Sequence, residues 1–387
     1  MRSAHVSDLH LGYRAHNALE GGRNVRELDV EKAWALTVDQ VIAYRPDICT
    51  IAGDLVHHPG VSDYAKLALL RGLRRLLDAG IIVIILQGNH DAGKTAAVLT
   101  PIMLADVLGG RLHIVTTPKR IKLQVHRDAV TVEKVSVACF PYVARGNGEK
   151  HLIEPDPDAD VNVLVMHAAV AGDQDGNLPW FYSGGEAVDV TREAEKWDIV
   201  HLGDFHEYRL FNCPGRVFYS GSIERTSSDI WKEHAPKGWV SVDTAAEGVE
   251  FHEIPTRPML DFEYDQFLLG RVTYDAAGVN DVLRQIRDQE HDFDGFIGRL
   301  VVPDFPRHEA DAIDRKLVTA IQQRCLHFQL DIKYAKNDTV MVGGHEMKKG
   351  VSIEDALRTF CADEELLAVI MEHVAPETEH ALEEAVA

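Results

Sequence analysis

The chain has 387 residues, enough for two domains and a sizeable core, and its 45% hydrophobic, 26% charged composition is that of an ordinary globular protein. No apolar run reaches bilayer-spanning length, and Met1-Arg2 leads straight into a strand-like stretch rather than a signal peptide. The formal net charge of −21 excludes a surface that coats nucleic acid generally, although local basic patches and bound metal ions can still neutralise contacted phosphates.

Ten acidic residues against one basic, Arg358, place −9 of that charge from Glu354 to the C-terminus. The five cysteines (Cys49, Cys139, Cys213, Cys325 and Cys361) have no C-x-x-C spacing and read as reduced thiols of a cytosolic protein.

In chain order, Ala4–Ser7 reads as a short strand whose following loop carries Asp8 and His10. Glu27–Tyr44 has helical spacing of its apolar residues. Asp47–Ala52 is a second buried strand, ending in Gly53-Asp54-Leu55-Val56-His57. Leu67–Leu77 reads as an amphipathic helix whose Arg71, Arg74 and Arg75 form a solvated face. The six apolar residues Ile81–Leu86, mostly β-branched, form a strand buried on both faces. Lys119–Val125 and Val130–Cys139 alternate around residues 126–129 as a β-hairpin, which implies a second sheet. Val161–Met166 and Asp198–Leu202 are further buried strands, ending at His167 and at Gly203-Asp204-Phe205-His206. Between them, Ala171–Asp189 is a Gly- and Asp-rich loop with Trp180, Phe181 and Tyr182. Strand-like segments run from Arg209 to Ile254, and composition changes at Pro255–Pro258. Residues 270–335 read strand, helix (Val279–Gln289), strand (Phe296–Val302), helix (Glu309–Arg324), strand (Phe328–Tyr334). An acidic amphipathic helix is expected over Ile353–Val374.

The loop after Leu86 spells two motifs. Gly88-Asn89-His90-Asp91 lines up an amide, an imidazole and a carboxylate, the mixture that a hard divalent metal and a general acid use. Gly88 to Thr95 also fits G-x-x-x-x-G-K-T, the phosphate-cradling P-loop, in a strand-to-helix setting. The P-loop reading leaves Asp8, His10 and His167 unexplained. In the metal reading, five strand ends carry candidate ligands: Asp8/His10, Asp54, Asn89/His90, His167 and Asp204/His206. Strand C-termini share one edge of a mostly parallel sheet, so these groups can meet. Mixed carboxylate, imidazole and amide donors suit Mn, Fe, Zn or Mg, and there are enough of them for two ions. His201 is a further candidate, its plainer reading being a buried strand histidine.

The series DLH, GDLVH, GNHD, a strand-terminal His and G-x-x-H resembles the calcineurin-like metallophosphoesterase superfamily. Within it, GDLVH, the YSGSIERTS stretch from Tyr219 to Ser227, and the small C-terminal α/β unit are similar to the SbcD-type nucleases of DNA double-strand-break repair. The resemblance implies an α/β fold, a four-layer α/β/β/α metallophosphoesterase sandwich with a small C-terminal α/β capping domain. It assigns residues 1–258 to a nuclease domain, 259–345 to a DNA-binding cap and 346–387 to an acidic helical tail able to dock a partner. By position, Asp8, His10 and His206 would hold the first metal, and Asn89, His167 and Asp204 the second, with Asp54 bridging both. His90 would protonate the leaving 3′ oxygen or stabilise the transition state, with Asp91 orienting its ring, and His57 would position the DNA strand. One residue departs from the pattern: the family has His-x-His where this chain has Asp204-Phe205-His206. Either a carboxylate replaces the imidazole, favouring harder ions, or Asp204 is not a ligand.

The resemblance further implies two divalent ions, Mn²⁺ ahead of Mg²⁺, Fe or Zn. It also implies DNA as substrate for 3′–5′ exonuclease or endonuclease cleavage, a homodimer formed near the N-terminal helices, and an SbcC-like ABC-type ATPase partner; the cysteine usage gives a cytoplasmic setting. The alternatives are a phosphoesterase acting on small phosphodiesters or phosphoproteins, a P-loop NTPase, and a non-catalytic repair scaffold.

Overall fold

The computed structural model describes residues 1–92, 100–126, 130–142, 154–168, 195–213, 215–267, 274–289, 293 and 295–335, and the backbone of four short strands at 170–171, 188–189, 339–342 and 345–348. The chain divides into two compact units, Met1–Pro258 and Met259–Ala387.

The first unit opens with β1 (Arg2–Val6), α1 (Val25–Tyr44), β2 (Ile48–Ile51), α2 (Asp63–Asp78), β3 (Ile82–Leu86) and β4 (Leu112–Val115). It continues with β5 (Lys119–His126), β6 (Val132–Phe140), β7 (Val161–His167), β8 (Ile199–Gly203), β9 (Arg209–Leu210), β10 (Arg216–Tyr219), β11 (Gly238–Asp243) and β12 (Glu250–Glu253). The helices begin where capping chemistry allows. The Asn24 side chain accepts from Arg26 N ahead of α1, and the Ser62 hydroxyl accepts from Ala65 N ahead of α2. The Ser62 cap explains why α2 starts four residues before the apolar periodicity does.

Two six-stranded sheets result, ordered β12-β11-β1-β2-β3-β4 and β9-β10-β8-β7-β6-β5. In the first, β1 to β4 run parallel, and in the second, β6, β7, β8 and β10 do. The period-2 alternation of a strand covered on both faces is plain in β3. Val83 and Ile85 pack with α1 and α2, whereas Ile84 and Leu86 face a core shared with Val137, Val163, Val165 and Phe218 of the second sheet. Each of these fully buried side chains contributes about 1.5–3 kcal/mol. The outer face of the second sheet carries its own apolar set, including Leu164, Trp197 and Tyr219. No helix covers that face among the described residues. The hairpin expected at 119–139 is present as antiparallel β5 and β6, with its turn, 127–129, outside the described residues.

The second unit has the parallel order β13 (Met259–Glu263), β14 (Ile297–Phe305), β15 (His327–Tyr334). Its crossovers contain α3 (Ala276–Asp288) and α4 (Arg315–Gln322) over a core that includes Val282, Leu300 and Phe328. Strand β13 is not read from the sequence, and the strand read from residue 270 falls on 270–273, outside the described residues. The single helix expected over 309–324 is two pieces, a 3₁₀ segment at Arg307–Ala312 and α4. The break falls at Ile313 and Asp314, both extended, where the Asp314 carboxylate caps Lys316 N at 2.9 Å. The chain is thus a mixed α/β sandwich of two sheets followed by a smaller α/β region, the architecture that the resemblance implies. Trp180–Tyr182 and the acidic helix expected over Ile353–Val374 lie outside the described residues, and residues 346–348 at the start of the expected tail belong to a short strand.

Candidate metal centre

The parallel strands β1, β2 and β3 of one sheet and β7 and β8 of the other end close together. His167 Nδ1, at the end of β7, hydrogen-bonds Ala52 O just past β2 at 2.7 Å. The loops after these strands hold each other through backbone bonds, Asp8 N to Gly53 O and His10 N to Asp54 O. Seven non-glycine residues have positive φ among those described, and four of them are Asp8, His10, Asp54 and Asp204. Left-handed backbone costs a non-glycine residue about 1–3 kcal/mol and marks sites where position outranks comfort. Glycines allow the close approach. A Cβ on Gly53, itself at φ 90°, would lie 2.2 Å from His167 Nδ1, and one on Gly88 would lie 2.1 Å from Asp54 Oδ1.

Two ligand groups form, Asp8/His10/His206 and Asp8/Asp54/His167, each with its donor atoms within 4.8 Å of one another. Asp54 faces both clusters: Oδ2 is 3.6 Å from His10 Nε2 and Oδ1 is 3.6 Å from His167 Nε2. His10 Nε2 and His206 Nε2 are 3.0 Å apart. His167 Nε2 is 2.8 Å from Asn89 Oδ1 and 3.7 Å from Asp204 Oδ1. Such separations are those of neighbouring ligands around an ion with bonds of about 2.1 Å. All seven expected metal residues are therefore brought together. A third grouping, His10/His57/His90, has no carboxylate.

The electrostatics point the same way. Asp8 and Asp54 are buried, and among the described residues neither they nor Asp204 pairs with a lysine or arginine. Buried carboxylates without a fixed cation such as lysine or arginine are costly, so the donor set fits divalent ions. Burial, and then the charge of Asp54, pushes Asp91 up to about 7. Burial and the neighbouring imidazoles hold His10 well below the ordinary histidine value, leaving it neutral as a ligand must be. Burial and His90 bring His57 down to about 4.

For His167, burial opposes the charge, but the carboxylates of Asp54, Asp8 and Asp204 outweigh it and raise the pKa to about 9. With the folded pKa above that of free histidine, the stabilisation is complete below pH 6.5 and is lost as pH rises through 9. Asp91 acts in the same direction as pH approaches 7. The Tm of the chelator-treated protein should therefore fall between pH 6.5 and pH 9, read by calorimetry. A flat or rising Tm across that window would mean that His167 is not charged by its carboxylates.

His90 Nδ1 lies 2.6 Å from the His57 carbonyl, so Nδ1–H donates there and Nε2 is the atom left to act. His57 stacks on His90 and places Nδ1 3.4 Å from His10 Nδ1. One expectation is corrected here, since Asp91 does not hold the His90 ring. Its carboxylate accepts Gly88 N at 2.9 Å and Val56 N at 3.2 Å, tying the two loops together, and the ring is oriented by His57 O instead. The loop's amides also argue against a phosphate cradle. Gly88 N–H serves Asp91 and His90 N–H serves Asp54 Oδ1, while Gly93, Lys94 and Thr95 lie outside the described residues.

His201 joins no ligand group. It is a buried strand histidine bonded to Thr50 and Ser220. Sequence reading missed Glu233 and Lys237, an ion pair behind His206. Lys237 Nζ donates to His206 O at 2.6 Å, and Glu233 Oε1 sits 3.9 Å from His206 Nδ1. Burial opposes the charge on His206, yet Glu233 raises its pKa. The Tyr219–Ser227 stretch was the one signal nearby: Ser222 N bonds His206 O, and Thr226 N and Ser227 N bond Glu233 Oε1.

A family profile described as calcineurin-like phosphoesterase matches residues 1–252. Three proteins named DNA double-strand break repair protein Mre11 are similar to this chain. The one from Methanopyrus kandleri is 29% identical, over 58% of this chain and 49% of its own length. That from Haloferax volcanii is 30% identical, over 68% and 54%. That from Methanococcus maripaludis is 33% identical, over 70% and 69%. The chain spans about half the length of the first two relatives. With strand-end ligands meeting between two sheets and a profile match over most of the first unit, the chain belongs to the calcineurin-like phosphoesterase family, as a relative of Mre11-type DNA double-strand break repair proteins.

Proposed function

We propose that the chain is a two-metal DNA phosphodiesterase of the SbcD/Mre11 type, a 3′–5′ exonuclease or endonuclease acting in double-strand-break repair or recombination. The observation that carries this reading is Asp54, whose two carboxylate oxygens face His10 of one ligand cluster and His167 of the other, the two clusters sharing Asp8. Asp8, His10 and His206 would hold one ion, Asn89, His167 and Asp204 the other, and Asp54 both. Two bound ions would supply a hydroxide nucleophile and charge stabilisation for in-line displacement at phosphorus. His90, fixed through Nδ1 and open at Nε2, protonates the leaving oxygen, and His57, neutral at pH 7, lines the approach. Asp204, with its side chain 35% exposed, is a ligand that adds negative charge where relatives of the family pattern carry imidazole, favouring Mn²⁺ or Mg²⁺.

The net charge of −21 supports an assembly in which a partner, an SbcC-like ABC-type ATPase, supplies much of the DNA affinity. Exposed Tyr64 and Leu67 on α2 support a homodimer through the N-terminal helices. No helix among the described residues is long and apolar enough to cross a membrane, which is compatible with the cytoplasmic setting proposed. Residues 259–345 would act as a DNA-binding cap and 346–387 as the partner-docking tail.

The test is cleavage of linear double-stranded DNA by the purified chain with Mn²⁺, with and without ATP, alongside Lys94→Ala. Cleavage without ATP that survives Lys94→Ala is the expected result. ATP hydrolysis lost in Lys94→Ala, with no metal-dependent phosphodiesterase activity, would overturn the reading in favour of the P-loop. Turnover of bis(p-nitrophenyl) phosphate with DNA left intact would reassign the substrate to small phosphodiesters.

A further inference from the structure

The core between the two sheets is built of aliphatic residues such as Ile84, Val137, Val163 and Val165. It nevertheless encloses two histidines and four hydroxyls: Ser3, His5, Ser7, Thr50, His201 and Ser220 are each at most 1% exposed. Unpartnered polar groups are expensive in such a setting, and none of these is unpartnered. They stand in single file. Ser3 Oγ is 2.8 Å from His5 Nε2, His5 Nδ1 is 2.8 Å from Thr50 Oγ1, and Thr50 Oγ1 is 2.9 Å from His201 Nδ1. His201 Nε2 is 3.0 Å from Ser220 Oγ, Ser220 Oγ is 2.9 Å from Ser7 Oγ, and Ser7 Oγ is 2.6 Å from Asp8 Oδ2. The file crosses from the first sheet to the second and returns to finish on a carboxylate of the metal centre.

That end point fixes every proton along the way. A carboxylate only accepts, so the single Ser7 proton goes to Asp8, and Ser220 must donate to Ser7. The Ser220 proton being committed, His201 donates to it through Nε2–H and offers the Nδ1 lone pair to the Thr50 hydroxyl. Thr50 then accepts from His5 Nδ1–H, and His5 Nε2 accepts from Ser3. Two neutral carbonyls compete at the ends, Gly221 O at 3.1 Å from Ser7 Oγ and Val242 O at 3.4 Å from Ser3 Oγ. Both contacts are longer than the link each would replace. We propose that this file is a one-way hydrogen-bond relay that orients the Asp8 carboxylate for its ion, with His201 locked as the Nε2–H tautomer and His5 as the Nδ1–H tautomer. The proposal rests on the reading of Asp8 as a metal ligand. A charged imidazole would donate at both nitrogens and break the file. Burial works against that charge, lowering His5 to about 3 and His201 well below the ordinary value. Aligned hydrogen bonds polarise one another, and losing a partner that orients a metal ligand typically costs about 10–100-fold in metal affinity.

The experiment uses the full chain labelled with ¹⁵N-histidine. Long-range proton–nitrogen correlation spectra at pH 7, without metal and then with Mg²⁺, should show both rings neutral, His201 with its proton on Nε2 and His5 on Nδ1. Mn²⁺ affinity, read by electron paramagnetic resonance, should weaken by roughly tenfold in Ser220→Ala and in Thr50→Val. Thr50→Ser, which keeps the hydroxyl, should restore it. The opposite tautomer at either ring, or a charged ring at pH 7, overturns the relay. Native tautomers with unchanged Mn²⁺ affinity in a folded Ser220→Ala protein overturn its orienting role. Unchanged Mn²⁺ affinity in Asp8→Ala overturns the ligand assignment underneath, an outcome separable from the tautomer result because that is read without metal.

Discussion

Asp54→Asn should reduce metal-dependent phosphodiester cleavage on the order of 10³-fold or more and cut bound Mn²⁺ from two ions per chain to one or none. The substitution is nearly isosteric, which matters because Gly88 leaves no room for a larger group beside Asp54. What changes is chemistry. The carboxylate presents one oxygen toward His10 and the other toward His167, whereas an amide offers one oxygen and a donor NH₂, so one cluster would meet a hydrogen where it needs a lone pair. The variant also loses a negative charge from a site in which buried carboxylates have no lysine or arginine partner among the described residues. A third consequence runs through Oδ1, which accepts His90 N at 2.9 Å, so the proposed general acid is positioned by the same side chain that faces both clusters. Mn²⁺ titration by calorimetry, with turnover of DNA and of bis(p-nitrophenyl) phosphate, gives the result. Two ions bound and turnover within tenfold of the parent would defeat the bridging role.

The frame of this centre is legible in the sequence because it rests on short-range signals. Six apolar residues followed shortly by Gly88 specify a buried strand and a sharp exit, and the same grammar at Gly53 and Gly203 puts Asp54 and Asp204 just past strand ends in the two sheets. Parallel strands then bring those ends together without further information. What the sequence does not reveal depends on which groups meet across the sandwich. Asp91 follows His90 directly and so reads as its partner, yet in the fold its carboxylate turns to Gly88 N and Val56 N. Glu233 and Lys237 precede β11 with no motif to mark them, and they reach His206 where the Tyr219–Ser227 loop folds against it. His5, Thr50 and Ser220 look like isolated polar residues in apolar strands, because their partners are 45, 151 and 213 positions away or lie on the facing sheet. The helix expected across Asp314 fails for a local reason: a side chain that caps its own helix start outweighs a continuous apolar period.

His90→Gln should lower kcat by about 10²–10⁴-fold while both metal ions still bind and KM stays within a few-fold. Glutamine can reach the same region and donate a hydrogen bond, but it cannot deliver a proton to a leaving oxygen. The structure separates this role from ligation. His90 Nδ1 is occupied by the His57 carbonyl at 2.6 Å, and its ring stands edge-on to His10 with centroids 4.7 Å apart. His90 is grouped only with His10 and His57, three imidazoles without a carboxylate, while both clusters that share Asp8 exclude it. A substrate that needs no protonation of its leaving group sharpens the argument. Thymidine 5′-monophosphate p-nitrophenyl ester releases a stable phenolate, so His90→Gln should slow it far less than it slows DNA. An equal loss on both substrates, together with loss of one bound Mn²⁺, would make His90 a ligand of the centre instead of its acid. An unequal loss with two ions retained means that the imidazole acts on the leaving oxygen, and that the His57 carbonyl, by fixing Nδ1, keeps Nε2 turned toward it.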